Sequence, residues 1–310
     1  MDRVLAADIG GTNLRLALIN RDGVFLDECR VEARLSRHNK TTTEDAENYI
    51  LDALQNAIAP FLEQNPVVDI GIGFPGFFRG DSGVLAGSPN LPLLQEFALA
   101  ERLSERLSIR VSAQNDALCA AIGEQRYGAG RGKSNLLHVT LGTGVGGGLI
   151  LNGVPYTGER GMAMEFGHLR VVSRNGRSCG CGNHGCLEAY ASATAVSQRF
   201  AEQSGIDTDA RLVYEYACDG NTIASEILKE TGLYLGLAIA EAVKLLDIET
   251  VSISGGLSHA WHLIHPPLMA ELNDNLIPPL RGKINVIHST LDDNAGLLGA
   301  ACIASRRQEH

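Results

Sequence analysis

The stretch ADIGGTNLRLALINRDG, Ala7–Gly23, sets an acid and a glycine–threonine turn between two apolar runs. Residues 3–9 read as a buried strand, Gly10-Gly11-Thr12 as a tight turn, Leu14–Ile19 as the returning strand and Arg21-Asp22-Gly23 as the next turn. The chain repeats this plan. Leu136–Leu141 is an apolar strand, Gly142-Thr143-Gly144 a tight turn, Val145–Leu151 a second strand and Asn152-Gly153 a hairpin turn. The spacing from Gly11 to Gly142 is 142 − 11 = 131 residues.

The segments after the two hairpins also match. In the first half, residues 44–64 carry apolar side chains at helical spacing (Ile50, Ala53, Leu54, Ala57, Phe61), with a kink expected at Pro60. Val67–Gly73 is a buried strand ending in the loop Gly73-Phe74-Pro75-Gly76; Leu94–Leu107 reads as a helix and Ile109–Ala113 as a strand. In the second half, Thr222–Leu246 is a long helical stretch, and the strand Val251–Ser254 ends in Gly255-Gly256-Leu257-Ser258. Hairpin, helix, strand and glycine loop thus occur twice in the same order. This implies a duplicated α/β fold with a cleft between its halves.

The chain has 310 residues, enough for two cores, and 45% hydrophobic residues. No apolar run approaches the ~18–20 residues of a membrane helix, and the N-terminus lacks signal-peptide organisation, so a cytoplasmic protein is expected. A formal net charge of −10 disfavours nucleic-acid binding. The 35 glycines cluster in loops after apolar runs, where a backbone can approach a ligand closely.

Glycine–threonine turns expose N–H groups and a hydroxyl with no bulk in the way, which suits phosphate oxygens. One such turn is more simply a hairpin needing glycine. Two, with Gly255-Gly256 in a third loop, point to a nucleotide held between the halves. Asp8, at the head of the first turn, is a candidate to hold a hydrated Mg²⁺ near the phosphates; a plain turn residue is the other reading of its position. The run Tyr127–Ser134, YGAGRGKS, resembles a phosphate-binding P-loop but has Tyr127 at the first glycine position. It also runs from helix to strand rather than from strand to helix, so it reads as an exposed connection.

Asn115 and Asp116 follow the Ile109–Ala113 strand, at the strand end where α/β sheets bind ligands. There Asp116 can take the proton of an attacking hydroxyl; helix capping is an equal reading of its position. Glu165 and His168 suit sugar hydroxyls. Cys179, Cys181 and Cys186 form C-x-C-x₄-C, a spacing that fits tetrahedral Zn²⁺. Three cysteines cannot pair among themselves without a remainder. His168 and His184 are the candidates for the fourth ligand. His168 is favoured, because His184 lies inside the loop and is constrained by it.

Together, DIGGTN at 8–13, GFPG at 73–76, NDA at 115–117, LGTGVGGGLI at 141–150, EFGH at 165–168, CGCGNHGCLE at 179–188 and SGGL at 254–257 resemble the ROK family of sugar kinases, its glucokinases most. The resemblance runs almost end to end. It implies an actin-like, hexokinase-type fold, a small domain of residues 1–116 plus 292–310 and a large one of residues 117–291. It also implies a structural zinc on His168, Cys179, Cys181 and Cys186, and a homodimer. Asp116 would be the general base for the 6-OH of the sugar. Gly76, Asn90, Asn115, Glu165, His168 and Glu188 would bind the sugar. Asp8, Gly10, Gly11, Thr12, Asn13, Thr143, Gly144, Gly255 and Gly256 would meet ATP and its Mg²⁺.

Two positions depart from the pattern. Met164 stands where many members have glycine, and Asn13 where many carry lysine. Glucose is the first expected substrate, then N-acetylglucosamine or N-acetylmannosamine, then fructose; ATP or polyphosphate is the donor. A sugar-responsive repressor or sensor of the same family is the alternative of another class. With the turn as early as Asp8, a preceding DNA-binding segment is not expected, and Asp116, whose loss would mark a sensor, is present.

Overall fold

The computed structural model describes residues 3–10, 13–32, 35, 42–89 and 91–305. In chain order the elements are β1 (Arg3–Ile9), β2 (Asn13–Asn20), β3 (Phe25–Glu32), α1 (Thr43–Gln64), β4 (Asp69–Phe74), β5 (Phe77–Phe78), β6 (Leu85–Gly87), β7 (Gln95–Phe97), α2 (Leu99–Leu107), β8 (Arg110–Asn115) and α3 (Asp116–Tyr127). Next come β9 (Leu136–Leu141), β10 (Val145–Leu151), β11 (Val154–Pro155), α4 (Glu188–Ala191), α5 (Ala193–Ser204), α6 (Ala210–Cys218), α7 (Thr222–Leu246), β12 (Thr250–Ser254), α8 (Trp261–Asn275), β13 (Asn285–His288) and α9 (Asn294–Ser305).

Two five-stranded sheets share one topology. The first runs β3-β2-β1-β4-β8 and the second β11-β10-β9-β12-β13. In each, an antiparallel hairpin carries a third strand on one side and two parallel strands on the other. The hairpin turns explain the folding back. Asn20 accepts from the N–H groups of Asp22 and Val24 through its side chain, and Asn152-Gly153 takes left-handed backbone at both residues (φ 53° and 80°).

The strand registers refine the internal match. Asp8 pairs with Gly73 and Thr140 pairs with Ser254. Val4 and Ala6 share a cluster with α9, and Leu136 shares one with α3. Because side chains alternate between faces, Asp8 corresponds to Thr140 and Gly10, not Gly11, to Gly142. The internal offset is therefore 142 − 10 = 132 residues, one more than the glycine–threonine pairs suggest.

One expected helix is displaced, and β3, β5, β6, β13, α4, α5, α6, α8 and α9 are additions to the sequence reading. The helix expected from Leu94 starts at Leu99, because residues 95–97 form β7 of a small sheet β5-β6-β7. Glu96 has φ 52°, which no right-handed helix admits, and Phe97 is buried in the first core. In β3, Leu26, Asp27 and Glu28 are exposed in succession and only Phe25, Cys29 and Val31 are partly buried, a weak apolar signal at the sheet edge.

Each sheet is covered on both faces. In the first, α1 and α2 cover one face and α9 the other. In the second, α3 covers one face and helices α5 to α8 the other. The helices α3 and α9 therefore lie between the two sheets, backbone against backbone. A Cβ on Gly123 would stand 2.1 Å from the carbonyl oxygen of Ala295, and one on Gly299 would stand 1.7 Å from that of Cys119. No helix among the described residues is long and apolar enough to cross a membrane.

Candidate active site

The C-terminal ends of β1, β4, β8, β9 and β12 open onto one cavity of about 510 Å³. It is lined from the first half by Asp8, Gly10, Gly76, Asn115 and Asp116, and from the second by Thr143, Gly144, Glu165, His168, Glu188 and Gly255. Strand ends that point one way bring residues from five separate segments together. Gly256 begins the turn beyond β12 and is exposed outside this lining. Asn13 is placed at the start of β2. Gly11, Thr12 and Asn90 lie outside the described residues.

The step from β8 to α3 separates two jobs that the sequence left merged. Asn115 is the N-cap: its side-chain oxygen accepts the N–H of Leu118 at 2.9 Å, and its amide donates to the Gly76 carbonyl at 3.0 Å. Asp116 opens the helix as its first residue and accepts the N–H of Ala117 at 2.8 Å. The capping role therefore belongs to Asn115, and Asp116 faces the cavity. Burial raises the carboxyl of Asp116 above its ordinary range, against the pull of its backbone hydrogen bonds. Asp8 is pushed up to about 7, first by burial, then by the charge of Asp116, with Arg15 pulling the other way.

Across the cavity, Glu165 precedes and His168 ends a short 3₁₀ turn, Phe166–His168, with Glu165 Oε2 at 3.5 Å from His168 Nε2. Met164 just before them has φ 68°, the left-handed region, and its carbonyl accepts the N–H of Phe166 at 2.6 Å. Glu188 opens α4 and accepts the N–H of Val145 at 3.0 Å.

His168, Cys179, Cys181 and Cys186 each offer one ligand atom, and all four atoms lie within 4.8 Å of one another. His168 Nδ1 is 3.6 Å from Cys179 Sγ, and Cys181 Sγ is 3.7 Å from Cys186 Sγ. Zn–S and Zn–N bonds of the usual lengths at tetrahedral angles give edges of about 3.5–3.8 Å, so the spacing suits that ion. A disulfide needs sulfurs ~2.05 Å apart. His184 belongs to an isolated bridge with Ser178 and is not one of the four converging residues.

Sequence reading did not single out Arg15, Arg30, Thr140, Ser254, Asp292, Asp293 or Gly296, all of which line the cavity. Arg15 donates to the Asp293 carbonyl at 2.7 Å and to Asn294 Oδ1 at 2.8 Å, contacts across more than 270 residues. A Cβ on Gly296 would lie 3.2 Å from the Asp8 carboxylate. The start of α9 thus forms the wall behind Asp8.

Comparison with known proteins accords with this arrangement. The ROK family profile matches residues 4–307. The glucokinase of Thermotoga maritima is 32% identical over 320 residues, covering 98% of each chain. A ROK family glucokinase from Streptomyces griseus, solved in complex with glucose and AMPPNP, superposes with a TM-score of 0.84 at 30% identity. It covers 98% of this chain and 99% of its own. A DNA-binding transcriptional dual regulator of Escherichia coli is 28% identical over 307 residues, 89% of this chain and 75% of the regulator. The chain belongs to the ROK family and has its actin-like, two-sheet α/β fold.

Proposed function

We propose that this ROK protein is an ATP-dependent glucose kinase that transfers the γ-phosphoryl group of Mg-ATP to the 6-OH of glucose. The observation that carries the reading is Asp116, freed of capping by Asn115 and facing the cavity at the head of α3. The glucokinase relatives supply the substrate.

In this reading glucose lies among Asn115, Asp116, Glu165, His168 and Glu188. The carboxylate of Asp116 takes the proton of the 6-OH as its oxygen bonds to the γ-phosphorus. The bond from that phosphorus to the bridging oxygen breaks, and ADP leaves. The turns at Gly10 and at Thr143-Gly144, with Gly255, meet the phosphates through backbone N–H groups. A raised carboxyl suits Asp116, because its proton affinity lies closer to that of the hydroxyl as it reacts.

The cavity lining includes six acidic residues (Asp8, Asp116, Glu165, Glu188, Asp292 and Asp293) and two arginines (Arg15 and Arg30). A bare nucleotide polyphosphate is repelled by such a wall, and a divalent cation reverses this. Asp8 is the residue to hold hydrated Mg²⁺, which neutralises phosphate charge when bound. Zinc on His168 and the three cysteines would fix the His168 ring, leaving Nε2 for the sugar. The chain would divide into lobes of residues 1–116 plus 292–310 and residues 117–291, closing over both substrates and excluding water.

The test is ADP release from Mg-ATP with glucose, mannose, fructose, N-acetylglucosamine, N-acetylmannosamine or no sugar. The reading expects sugar-dependent release with the highest kcat/KM for glucose. Release that ignores the sugar would overturn the kinase, and a higher kcat/KM for a 2-acetamido sugar would overturn glucose.

A further inference from the structure

The second sheet holds a polar group in its interior that the first sheet does without. His138 of β9 and Ser252 of β12 are register partners, and both are fully buried. His138 Nδ1 lies 2.8 Å from Ser252 Oγ, and its Nε2 lies 3.1 Å from both Thr140 Oγ1 and Ser254 Oγ. By the register match, His138 corresponds to Ala6, Ser252 to Gly71 and Ser254 to Gly73. The fold thus closes without a polar side chain at these positions. Burying polar groups is unfavourable unless every one is paired, so the reason for this set lies outside the core. It leads to the cleft: Thr140 and Ser254 line the cavity beside the Gly142–Gly144 turn and Gly255.

Proton positions are set by which atoms can accept. Burial holds the His138 ring neutral, its pKa lowered to about 3, so the ring has one N–H and one lone pair. The hydroxyl of Ser252 has the ring as its partner among the described residues, and its proton needs an acceptor. Nδ1 supplies the lone pair, which puts the ring proton on Nε2. That N–H is shared between the oxygens of Thr140 and Ser254. These two hydroxyls therefore accept from the ring, and their own protons remain for the cavity. Hydroxyl donors on a cleft wall suit phosphate oxygens.

We propose that His138 is a positioning residue for the phosphoryl donor: it orients the hydroxyls of Thr140 and Ser254 so that both donate to an anionic phosphate oxygen of the bound nucleotide. This rests on the kinase reading for the identity of the nucleotide. Ser252, which does not line the cavity, sets the tautomer and so acts at one further remove.

The experiment measures ADP affinity by calorimetry, together with KM for ATP and for glucose. The variants are Thr140→Val with Ser254→Ala, then His138→Leu, then all three changes together, and Ser252→Ala alone. Loss of both hydroxyls is expected to weaken ADP about tenfold or more, tenfold being the lower end for a single hydrogen bond to a charged group. His138→Leu should weaken ADP three- to tenfold and leave KM for glucose within twofold. Added to the hydroxyl-less pair it should cause no further loss, because its effect runs through those hydroxyls. Ser252→Ala should raise KM for ATP in the same direction; it removes one buried hydroxyl and carries the test if His138→Leu does not fold.

Losses that multiply in the triple variant would overturn the inference, as would unchanged ADP affinity in Ser252→Ala and His138→Leu. A wild-type protein that binds ADP but turns over no sugar would sink the kinase reading, and the ADP affinities would still decide this one. A wild-type protein that binds no ADP would sink both.

Discussion

The carboxylate of Glu188 accepts the backbone N–H of Val145 at 3.0 Å and so ties the cysteine loop to the second glycine turn. One side chain thereby spans the proposed sugar pocket and the proposed phosphate turn. Its other oxygen lies 3.9 Å from Cys179 Sγ. Glu188→Ala should raise KM for glucose and for ATP together, each by about tenfold or more, since it also leaves the Val145 N–H without its partner. Glu188→Gln keeps an acceptor and should spare the ATP term. Steady-state kinetics on both substrates checks this; a loss confined to one substrate would refute the bridging role.

Asp116→Asn keeps shape and removes proton acceptance. kcat should fall by roughly 10²–10⁴, the usual worth of a general base, with glucose affinity within about tenfold. Calorimetric glucose binding beside single-turnover kinetics separates the two. A variant with near-normal kcat would end the assignment of Asp116 as base.

Cys181→Ala should lose zinc and glucose affinity together, because the ion is expected to orient His168. Metal content by mass spectrometry and glucose binding are the two readouts. A full complement of zinc in the variant would contradict the four-residue ligand set.

Met164 sits at φ 68°, where a Cβ is unfavourable. Replacing it by glycine should give a more stable protein than replacing it by alanine, by about 1 kcal/mol, although alanine is ordinarily the better choice. Both variants lose the same packing against the second core, so their difference isolates the backbone. Equal denaturant midpoints would show that the turn relaxes.

Asp8 predicts a pH dependence. Its folded pKa of about 7 stands above the ordinary 3.8, so between these values the folded state holds more proton than the unfolded one. Stability therefore falls as pH rises from about 4 to 7 and then levels, with an upper bound of about 4 kcal/mol from the shift alone. Asp8→Asn should flatten that decline in buffer without added divalent cations, and added Mg²⁺ should restore stability to the wild type most at pH 8. Parallel melting-temperature profiles of the two proteins would count against it.

The repeated order of hairpin, helix, strand and glycine loop is legible because each step has a local signature: an apolar run, then a turn that demands glycine or asparagine. Segments 115–116, 165–168 and 179–188, which the structure brings to the cavity and to the converging His and Cys side chains, are legible because each packs several polar or sulfur side chains into a few residues. Arg15 and Gly296 are not. Each matters through a partner far away in sequence, Asn294 in one case and Asp8 in the other, and no local pattern encodes such a pair. His138 stays hidden because a single histidine in an apolar strand carries no signal until its neighbours in β12 are known. The start of α2 is misplaced by periodicity because Leu94 and Phe97 fit a helical period, while the left-handed backbone at Glu96 is a property of the turn they share.

The position of α9 has a consequence for how the protein is made. This helix supplies Leu297, Leu298, Ala300, Ala301 and Ala304 to the core beneath Val4, Ala6, Ala17 and Ile19, so the first sheet is finished by the last helix. As the chain emerges from the ribosome, the N-terminal strands must wait with one apolar face uncovered until the entire second sheet has been synthesised. Assembly of the first half is thus gated by completion of the second, and a nascent chain stopped before Asn294 would present that face to chaperones rather than fold around it.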